Sequence, residues 1–383
     1  MRILFTFIGG LGHFHPMEPL ARASVAAGHE VAVACSGGVL SRVEAAGFRG
    51  LATSAPRPSA LRPRDLTPLP PVDARATEIE FAENFAGKGA RRHAGAVQEH
   101  VRSWRPDVVV RDEADFGSAI AAEVLGIPVA TVLVLASGML IRPELVSGPL
   151  GAVRAEHGLP PDADLSMLTR GLRLSSFPLS FRSPDSPVPL PEPTFAFRDS
   201  SSGAGRRPRT PDSRRRVYVT LGTVFNSGSG DLFERLLAGL AHVDAEIVVT
   251  VGRDIDPATF GPQPGHLRVE SFVPQADLLP DTDLVVSHGG SGTLVATLAH
   301  GLPSVLLPLG ADQPHNAARA DALGLARILD PATAGPDEIG LSVGEALQDD
   351  AALHRARLVA DEIGSLPTAE QMVPLLEELP GSV

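Results

Sequence analysis

Residues 285–316 carry the sequence VVSHGGSGTLVATLAHGLPSVLLPLGADQPHN, whose hydrophobic pattern predicts a strand, a helix, a strand and a helix in turn. The predicted elements are Leu284–Ser287, Ser291–His300, Ser304–Leu307 and Gln313–Leu323. Strands that alternate with helices in this way pair in parallel through right-handed crossovers. The stretch therefore predicts part of a doubly wound sheet, in which ligands bind outside the carboxyl ends of the strands.

The same alternation extends toward both ends of the chain. In the first half we predict strands at Ile3–Phe7, Glu30–Cys35, Asp107–Val110 and Pro128–Leu133, and helices at Pro16–Ala27, Ile79–Trp104 and Phe116–Leu125. The second half adds strands at Val217–Leu221, Ile247–Val251 and Leu267–Phe272, a helix at Asp231–Ala241 and a largely helical C-terminus. We expect the longest helix to be kinked near Gly87–Gly89, because glycine weakens a helix interior.

The chain has 383 residues, which favours two domains. Ser183–Arg216 is rich in proline, serine and arginine, a composition typical of a linker. We expect an N-terminal domain over 1–198, a linker over 199–215, a C-terminal domain over 216–360, and a terminal helical segment over 361–383 that packs back on the N-terminal domain. The predicted fold class is α/β, with two doubly wound Rossmann-like domains facing a cleft.

Composition and charge exclude several classes of protein. The net charge is −12 and no basic face is concentrated, which argues against a nucleic-acid partner. Cys35 is the single cysteine, so no intramolecular disulfide can form. The uncharged stretch Val124–Ile141 approaches the length of a membrane span, but Gly126 and Pro128 interrupt it. We therefore expect a soluble, cytoplasmic protein with no integral membrane segment.

A glycine-rich turn, HGGSGT at 288–293, joins the first strand of the opening stretch to its first helix. Glycines let main-chain N–H groups approach an anion closely, and the helix N-terminus adds a positive dipole end. The hydroxyls of Ser291 and Thr293 and the ring of His288 are further donors. We predict a diphosphate site here; the simpler alternative is a turn with a helix cap and no ligand.

A second glycine-rich turn, GGLGHFHP at 9–16, follows the first predicted strand. It lacks the third glycine of the dinucleotide fingerprint, and no acidic residue ends the second strand, so a nicotinamide cofactor is not expected. His13 lies where a helix begins, a position that favours the neutral imidazole of a general base. The alternative is that His13 and His15 are loop residues without chemistry.

A base of this kind needs a partner that orients its ring. Asp112 ends the strand over 107–111, at the same edge of the predicted sheet as His13. Asp115, one turn further on, is the second candidate. The alternative role for Asp112 is a cap for the helix that starts at Phe116.

Taken together, these motifs resemble the GT-B-fold glycosyltransferases, and most closely the actinobacterial antibiotic and macrolide enzymes. The matching segments are GHFHP at 12–16, FVPQ at 272–275, HGGSGT at 288–293, GLP at 301–303 and DQ at 312–313. The resemblance implies transfer of a sugar from a nucleotide diphosphate to a hydroxyl of a hydrophobic natural-product aglycone.

The resemblance also implies roles at the donor site. Phe272 would stack on the base, and the main chain of Val273 would pair with the pyrimidine edge. The remaining donor residues are Gly222, Thr223, His288, Gly290, Ser291, Gly292 and Thr293 for the diphosphate, and Asp312 and Gln313 for the sugar hydroxyls. Relatives that use UDP-sugars often carry a glutamate, which bonds the ribose hydroxyls, where this chain has Ala296. We therefore expect a dTDP-sugar in preference to a UDP-sugar.

On the acceptor side, the resemblance implies that His13 is the base and Asp112 its partner, and that the reaction inverts the anomeric centre. We expect His15, Phe81 and Phe85 to contact the acceptor. Three Asp-x-Asp triplets occur, at 162–164, 254–256 and 281–283, and we interpret them as surface turns. The prediction is therefore an enzyme without a required metal or cofactor, with the nucleotide sugar as co-substrate.

Three other functions stay open at this point. One is a sugar-nucleotide epimerase, and another is a lipid- or cell-wall-directed transferase, both on the same architecture. The third is a non-catalytic auxiliary partner of a glycosyltransferase, against which the intact His13, Asp112 and phosphate turn argue. The sequence is also compatible with a homodimer.

Overall fold

The computed structural model describes residues 1–56, 66–200, 214–222 and 228–382. The chain divides into two compact units. The first unit comprises Met1–Ser59, Arg75–Ser200 and Leu366–Val383, and the second comprises Ala60–Ala74 and Ser201–Ser365. Thr223 and most of the predicted linker lie outside the described residues.

A seven-stranded sheet of parallel strands forms the centre of the first unit. Its strands are β1 Arg2–Thr6, β2 Glu30–Cys35, β3 Arg49–Ala52, β4 Val108–Asp112, β5 Val129–Leu133, β6 Leu172–Ser175 and β7 Thr194–Ala196. Their order in the sheet is β3-β2-β1-β4-β5-β6-β7, so the direction of winding reverses between β1 and β4. A crevice at such a reversal is where open α/β sheets bind ligands.

Helices cover both faces of this sheet. They are α1 Leu11–Phe14, α2 Glu18–Ala26, α3 Leu40–Ala45, α4 Ala74–Phe81, α5 Ala90–Trp104, α6 Phe116–Leu125, α7 Pro143–Glu156 and, at the C-terminus, α14 Ala369–Glu378. One face packs on α2 and α14 in the larger core, which includes Phe5, Val110 and Met372. The other face packs on α5 and α6 through residues such as Val109 and Ala121.

The second unit contains a six-stranded parallel sheet in the order β10-β9-β8-β11-β12-β13. Its strands are β8 Arg216–Thr220, β9 Glu246–Thr250, β10 Leu267–Glu270, β11 Leu284–Ser287, β12 Ser304–Leu306 and β13 Ala326–Ile328. The helices are α8 Leu232–Leu240, α9 Gln275–Leu278, α10 Ser291–Ala299, α11 Gln313–Ala322, α12 Pro336–Ala346 and α13 Asp350–Ser365. The winding reverses between β8 and β11, and α8 and α12 cover one face of the sheet through the core of this unit.

The predicted α/β fold class, with two doubly wound Rossmann-like sheets, is confirmed. The observed units differ from the predicted boundaries because residues 66–74 group with the second unit, where Leu69 packs on the core. Strand β7 lies inside the stretch that we interpreted as a linker, and it is too short to show a period in the sequence. The predicted long helix contains a π-helical segment, Ala82–Gly89, between α4 and α5.

Val124–Ile141, the stretch that approaches the length of a membrane span, forms the end of α6, strand β5 and the loop that follows. Within the described ranges, no helix combines the length and the apolar character needed to cross a bilayer.

Candidate active site

His13 and Asp112 meet at the reversal of winding in the first sheet. His13 lies on the single turn α1 after β1, and Asp112 is the last residue of β4. The Nδ1 atom of His13 lies 3.3 Å from Oδ2 of Asp112, whose side chain is fully buried. A carboxylate accepts hydrogen bonds only, so this contact favours the His13 tautomer that carries its proton on Nδ1 and leaves Nε2 as a base.

The main chain holds the Asp112 carboxylate in place. Its Oδ2 accepts a hydrogen bond from the Ile8 N–H at 3.0 Å, and its Oδ1 accepts one from the Ala114 N–H at 2.5 Å. Ile8 follows β1 and Ala114 follows β4, so both strand ends contribute to the orientation. The Asp112 carboxylate is thus oriented by main-chain N–H groups at the carboxyl ends of two neighbouring strands.

Aromatic stacking holds the other side of the His13 ring. The ring centroids of His13 and Phe85 lie 5.7 Å apart, and those of Phe85 and Phe81 lie 4.6 Å apart. Phe85 is half-buried, whereas Phe81 is buried and packs edge-on against Phe116. Of the three residues predicted to contact the acceptor, Phe85 therefore lies next to His13, Phe81 packs on Phe85 from the core, and His15 is exposed.

Gly9 also lies against the ring of His13. It adopts a φ of +91°, and a Cβ atom there would come within 3.2 Å of the His13 ring. Glycine is therefore the residue that fits both this backbone conformation and this close approach.

Asp115, the second candidate partner for His13, instead contacts a buried histidine that sequence reasoning missed. Its Oδ2 lies 3.2 Å from Nδ1 of His93, whose Nε2 lies 2.9 Å from Oγ1 of Thr53. Asp115 also caps α6 by accepting a hydrogen bond from the Ser118 N–H at 3.1 Å. Burial acts to raise the pKa of Asp115, but His93 and Ser118 outweigh it and lower that pKa to about 2.

Glu113 lies between the two aspartates and faces another group of donors. Its Oε1 accepts hydrogen bonds from the N–H groups of Val134 and Leu135 at 2.7 and 2.6 Å, and Arg182 lies 3.6 Å from its Oε2. Burial nevertheless raises the pKa of Glu113 above its ordinary value. The structure therefore brings only Asp112, of these three acids, to His13.

In the second unit, the turn between β11 and α10 occupies the equivalent reversal of winding. Gly290 is the N-cap of α10 and has no side chain, so the first N–H groups of the helix have no side-chain cap. Such groups, with the helix dipole, form an anion site. Gln275 donates from Nε2 to Oγ1 of Thr293 at 3.2 Å, which ties the segment after β10 to this turn.

His288 is buried beside Gly290 of this turn and Gly222 of the loop after β8. A Cβ atom on Gly222 or on Gly290 would lie 2.6 or 2.5 Å from its Nε2. Gly222 also has a φ of +77°, so an L side chain there would be strained as well as crowded. Burial lowers the pKa of His288 to about 4, against the raising effect of a hydrogen bond with the main chain of Thr220. The imidazole is therefore neutral near pH 7.

Asn316, which sequence reasoning missed, contacts two of the residues predicted to bind the donor. Its fully buried Nδ2 lies 2.7 Å from Oδ2 of Asp312, 3.0 Å from the carbonyl of Gly289 and 3.1 Å from Oγ of Ser291. The Ser291 hydroxyl also donates to Oδ2 of Asp312 at 2.5 Å. The sequence could have indicated Asn316, because it follows Asp312 by four residues and residues four apart lie on one face of a helix. Ser291 and Asp312 are therefore joined to each other.

The other predicted donor residues have two kinds of environment. Phe272 is 42% exposed, and the guanidinium carbon of Arg253 lies 3.6 Å from the centre of its ring. Val273 is half-buried beside it. Gln313 is buried, and its Oε1 accepts hydrogen bonds from the N–H groups of Leu309 and Gly310 at 2.7 and 3.2 Å. The side-chain carbonyl of Gln313 is thus already bonded to main-chain N–H groups.

Side chains of all three Asp-x-Asp triplets make structural hydrogen bonds, but the interpretation as surface turns is wrong for 281–283, because Asp283 is buried and bonds a residue 67 positions away. Asp162 accepts from the Ser166 N–H at 2.9 Å, Asp256 caps a short 3-10 helix, and Asp283 accepts from the Arg216 N–H at 2.8 Å. In the described part of the chain, no three His, Cys, Asp or Glu side chains converge as a metal site would require.

Comparison with known proteins gives concordant findings. A family model described as the erythromycin biosynthesis protein CIII-like C-terminal domain matches residues 234–379. The L-demethylnoviosyl transferase of Streptomyces niveus is 31% identical over 382 residues, which cover 96% of this chain and 95% of that protein.

Solved structures give the same result. The glycosyltransferase SnogD from Streptomyces nogalater superposes with a TM-score of 0.73 at 26% identity, over 100% of this chain and 99% of that one. A spinosyn rhamnosyltransferase complexed with thymidine diphosphate superposes with a TM-score of 0.79 at 24% identity, over 98% of this chain and 100% of that one. These likenesses confirm the GT-B fold.

Proposed function

The chain belongs to the glycosyltransferases of antibiotic biosynthesis, and on that premise we propose that it transfers a deoxysugar from a dTDP-sugar, with inversion, to a hydroxyl of a hydrophobic natural-product aglycone. The observation that carries this proposal is the contact between Nδ1 of His13 and the buried carboxylate of Asp112 at 3.3 Å. A histidine oriented in this way has the geometry of a general base.

The chemistry assigned to the first unit follows from that geometry. Nε2 of His13 takes the proton from the acceptor hydroxyl as its oxygen bonds to the anomeric carbon. The bond between that carbon and the diphosphate oxygen breaks with its electron pair, so the configuration inverts. Asp112 stabilises the imidazolium that forms and keeps the ring in one tautomer. Phe85, stacked on the ring, excludes water from one of its faces.

The second unit would hold the donor. The N–H groups at the start of α10 face the charge that develops on the leaving diphosphate, and His288 and Thr293 lie in the same turn. Oδ2 of Asp312 accepts from Ser291 and Asn316, which leaves Oδ1 for a sugar hydroxyl. The exposed ring of Phe272 offers a surface on which a base can stack.

The direct test is a mass-spectrometric screen of several dTDP- and UDP-sugars against a panel of aglycones. We expect a glycosylated product with the anomeric configuration inverted, formed equally in the presence of EDTA. Release of dTDP without any acceptor product would favour the epimerase alternative instead.

Substitution of the base gives the second test, with the donor and acceptor pair found in that screen. His13→Gln should lower kcat by about a thousandfold, the order that general-base catalysis supplies, and Asp112→Asn should lower it strongly as well. The Kd for dTDP should stay unchanged in both variants, as measured by calorimetry. A His13→Gln enzyme with wild-type turnover would refute the assignment of the base.

The nature of the nucleotide is tested by calorimetry on the unchanged protein. Ala296 on α10 offers no carboxylate to a ribose 2′-hydroxyl, so we expect dTDP to bind more tightly than UDP. Ala296→Glu should narrow or reverse that preference, because a carboxylate can accept a bond from the 2′-hydroxyl. Clearly tighter binding of UDP by the wild-type protein would overturn the expectation.

A further inference from the structure

Arg111, the residue before Asp112, is one of the largest fully buried side chains in the described part of the chain. It lies on the opposite face of the first sheet from Asp112, since neighbouring residues of a strand point to opposite faces. Its register neighbours in β1 and β5 are the buried hydroxyl residues Thr6 and Thr131. A cation therefore lies buried against the sheet, on the face opposite to Asp112, the proposed partner of His13.

Stability alone does not account for a guanidinium in this position. Removing an ion from water costs several kcal/mol, and replacing buried charges by apolar residues of similar volume is often neutral or stabilising. Burial lowers the pKa of Arg111, and the carboxylates of Asp115, Asp112 and Glu113 counteract that effect. The position of Arg111 thus points to a role in arranging its neighbours.

The hydrogen bonds of Arg111 indicate what it arranges. Nη1 donates to the main-chain carbonyls of Asp112 and Glu113 at 3.1 and 3.2 Å, and Nη2 donates to the carbonyl of Met167 at 3.4 Å. These bonds fix the main chain where β4 ends and turns toward α6. The Ala114 N–H that holds Oδ1 of Asp112 belongs to the same turn.

The partners of the three acids at 112–115 also indicate that Arg111 acts on Asp112. Glu113 has Arg182 at 3.6 Å, and Asp115 has His93 at 3.2 Å. The contacts of Asp112 are instead the ring of His13 and two main-chain N–H groups. Arg111, bonded to the carbonyl of Asp112 itself, supplies positive charge on the side of the turn away from His13.

We propose that Arg111 is a positioning residue for the transfer reaction: its guanidinium fixes the 112–114 turn, so that the Asp112 carboxylate stays directed at Nδ1 of His13. This inference rests on the proposed function, in which that pair is the general base. It assigns no contact with substrate to Arg111.

The first test needs no substrate. In protein with 15N-labelled histidines, the His13 signals are assigned by comparison with His13→Gln, and its tautomer is determined from the two ring nitrogens. The wild-type protein should show the Nδ1–H tautomer. Arg111→Met should convert His13 to a mixture of tautomers, as Asp112→Asn also should.

The second test is a kinetic cycle with the donor and acceptor pair from the screen. Arg111→Met should lower kcat about tenfold, because a small displacement of a catalytic group is costly, and the Kd for dTDP should not change. In an Asp112→Asn background, Arg111→Met should cause no further loss. A purely structural role would instead give losses that multiply.

Arg154 on α7 provides the matched control, because it is another buried arginine of the first unit. It pairs with Glu123 at 2.7 Å, and its other hydrogen bonds go to the carbonyl of Pro160 and the sulfur of Met167. Arg154→Met should lower stability while leaving both kcat and the His13 tautomer as in the wild type.

Arg111→Lys decides the matter if Arg111→Met does not fold, because lysine keeps the charge but cannot bond two carbonyls in the fixed geometry of a guanidinium. We expect it to fold with kcat lowered several-fold. Wild-type kcat and tautomer in every folded Arg111 variant would overturn the inference. Wild-type turnover in His13→Gln and Asp112→Asn would instead overturn the proposed function on which it rests.

Discussion

His288 shows at the scale of one residue how burial sets a protonation state. The ring lies against Gly222 and Gly290, and its pKa is lowered from 6.5 to about 4. The folded protein therefore resists protonation that the unfolded chain accepts at pH 6.5. The unfolded state binds more protons than the folded state between pH 6.5 and 4. The stability that the neutral His288 contributes to the folded state is therefore fully present above pH 6.5 and is lost as the pH falls toward 4.

Replacement of His288 should remove this dependence on pH. His288→Gln should flatten the fall in the unfolding free energy of the second unit between pH 6.5 and 4, by up to about 3 kcal/mol for such a shift in pKa. The measurement is denaturant unfolding at a series of pH values. His242→Gln, at an exposed histidine of the same unit, is the control and should keep the wild-type slope. If the unfolding free energy of His288→Gln depends on pH as steeply as that of the wild type, the lowered pKa of His288 is contradicted.

The sequence predicted a site residue where a short local pattern, such as a strand end or a run of glycines, marked its position. Asp112 was located by the end of a strand, and the turn at 288–293 by its glycines. Partners were not predictable in this way, because His93 and Asp115 are 22 residues apart and belong to no shared motif. Gln313 matched its motif, yet its carbonyl bonds the main chain of Leu309 and Gly310.

At the scale of one element, the π-helical segment Ala82–Gly89 lies beside His13. Such segments are rare and often occur at functional sites. This one carries Phe85 onto the ring of His13, and Gly89 closes it against Ile8. Ile8 donates in turn to the carboxylate of Asp112 at 3.0 Å. The sequence predicted a kink near Gly87–Gly89, but it did not predict the π-helical turn.

Two glycines of this helical stretch allow a matched comparison. A Cβ atom on Gly89 would lie 2.5 Å from Cδ1 of Ile8 and 2.6 Å from the carbonyl of Asn84, whereas one on Gly95 would meet nothing within 4 Å. Gly89→Ala should destabilise the protein by about 1–3 kcal/mol and lower kcat. Gly95→Ala should stabilise it by up to about 1 kcal/mol. Thermal unfolding and turnover measure both effects, and a stabilised Gly89→Ala would contradict the packing described.

At the scale of the whole molecule, the chain crosses between its two units more than once. Residues 66–74 group with the second unit, and Leu366–Val383 with the first. In the first unit, Met372, Val373 and Leu376 of α14 belong to the larger core. Arg198 and Ala369 join the main chain near β7 to the start of α14, with a hydrogen bond of 3.0 Å.

Deletion of Leu366–Val383 should therefore destabilise the first unit selectively. Each buried apolar side chain lost from the core removes about 1.5–3 kcal/mol. Calorimetry should show the transition of the first unit at a lower temperature, while the second unit still binds dTDP with wild-type affinity. Deletion of residues 381–383 alone is the control. Unchanged transitions in the longer deletion would contradict the role of α14 in this core.

The sequence by itself determined the alternation of strands and helices, the two glycine-rich turns and the strand end that carries Asp112. These features depend on side-chain period and backbone conformation over a few neighbouring residues. Only the tertiary structure decided that Asp112 faces His13 while Asp115 faces His93, that Arg111 is buried, and which side chains of α14 enter the first core. Those outcomes depend on contacts between distant segments, such as the bond from Ile8 to Asp112 across 104 residues, for which no local pattern exists.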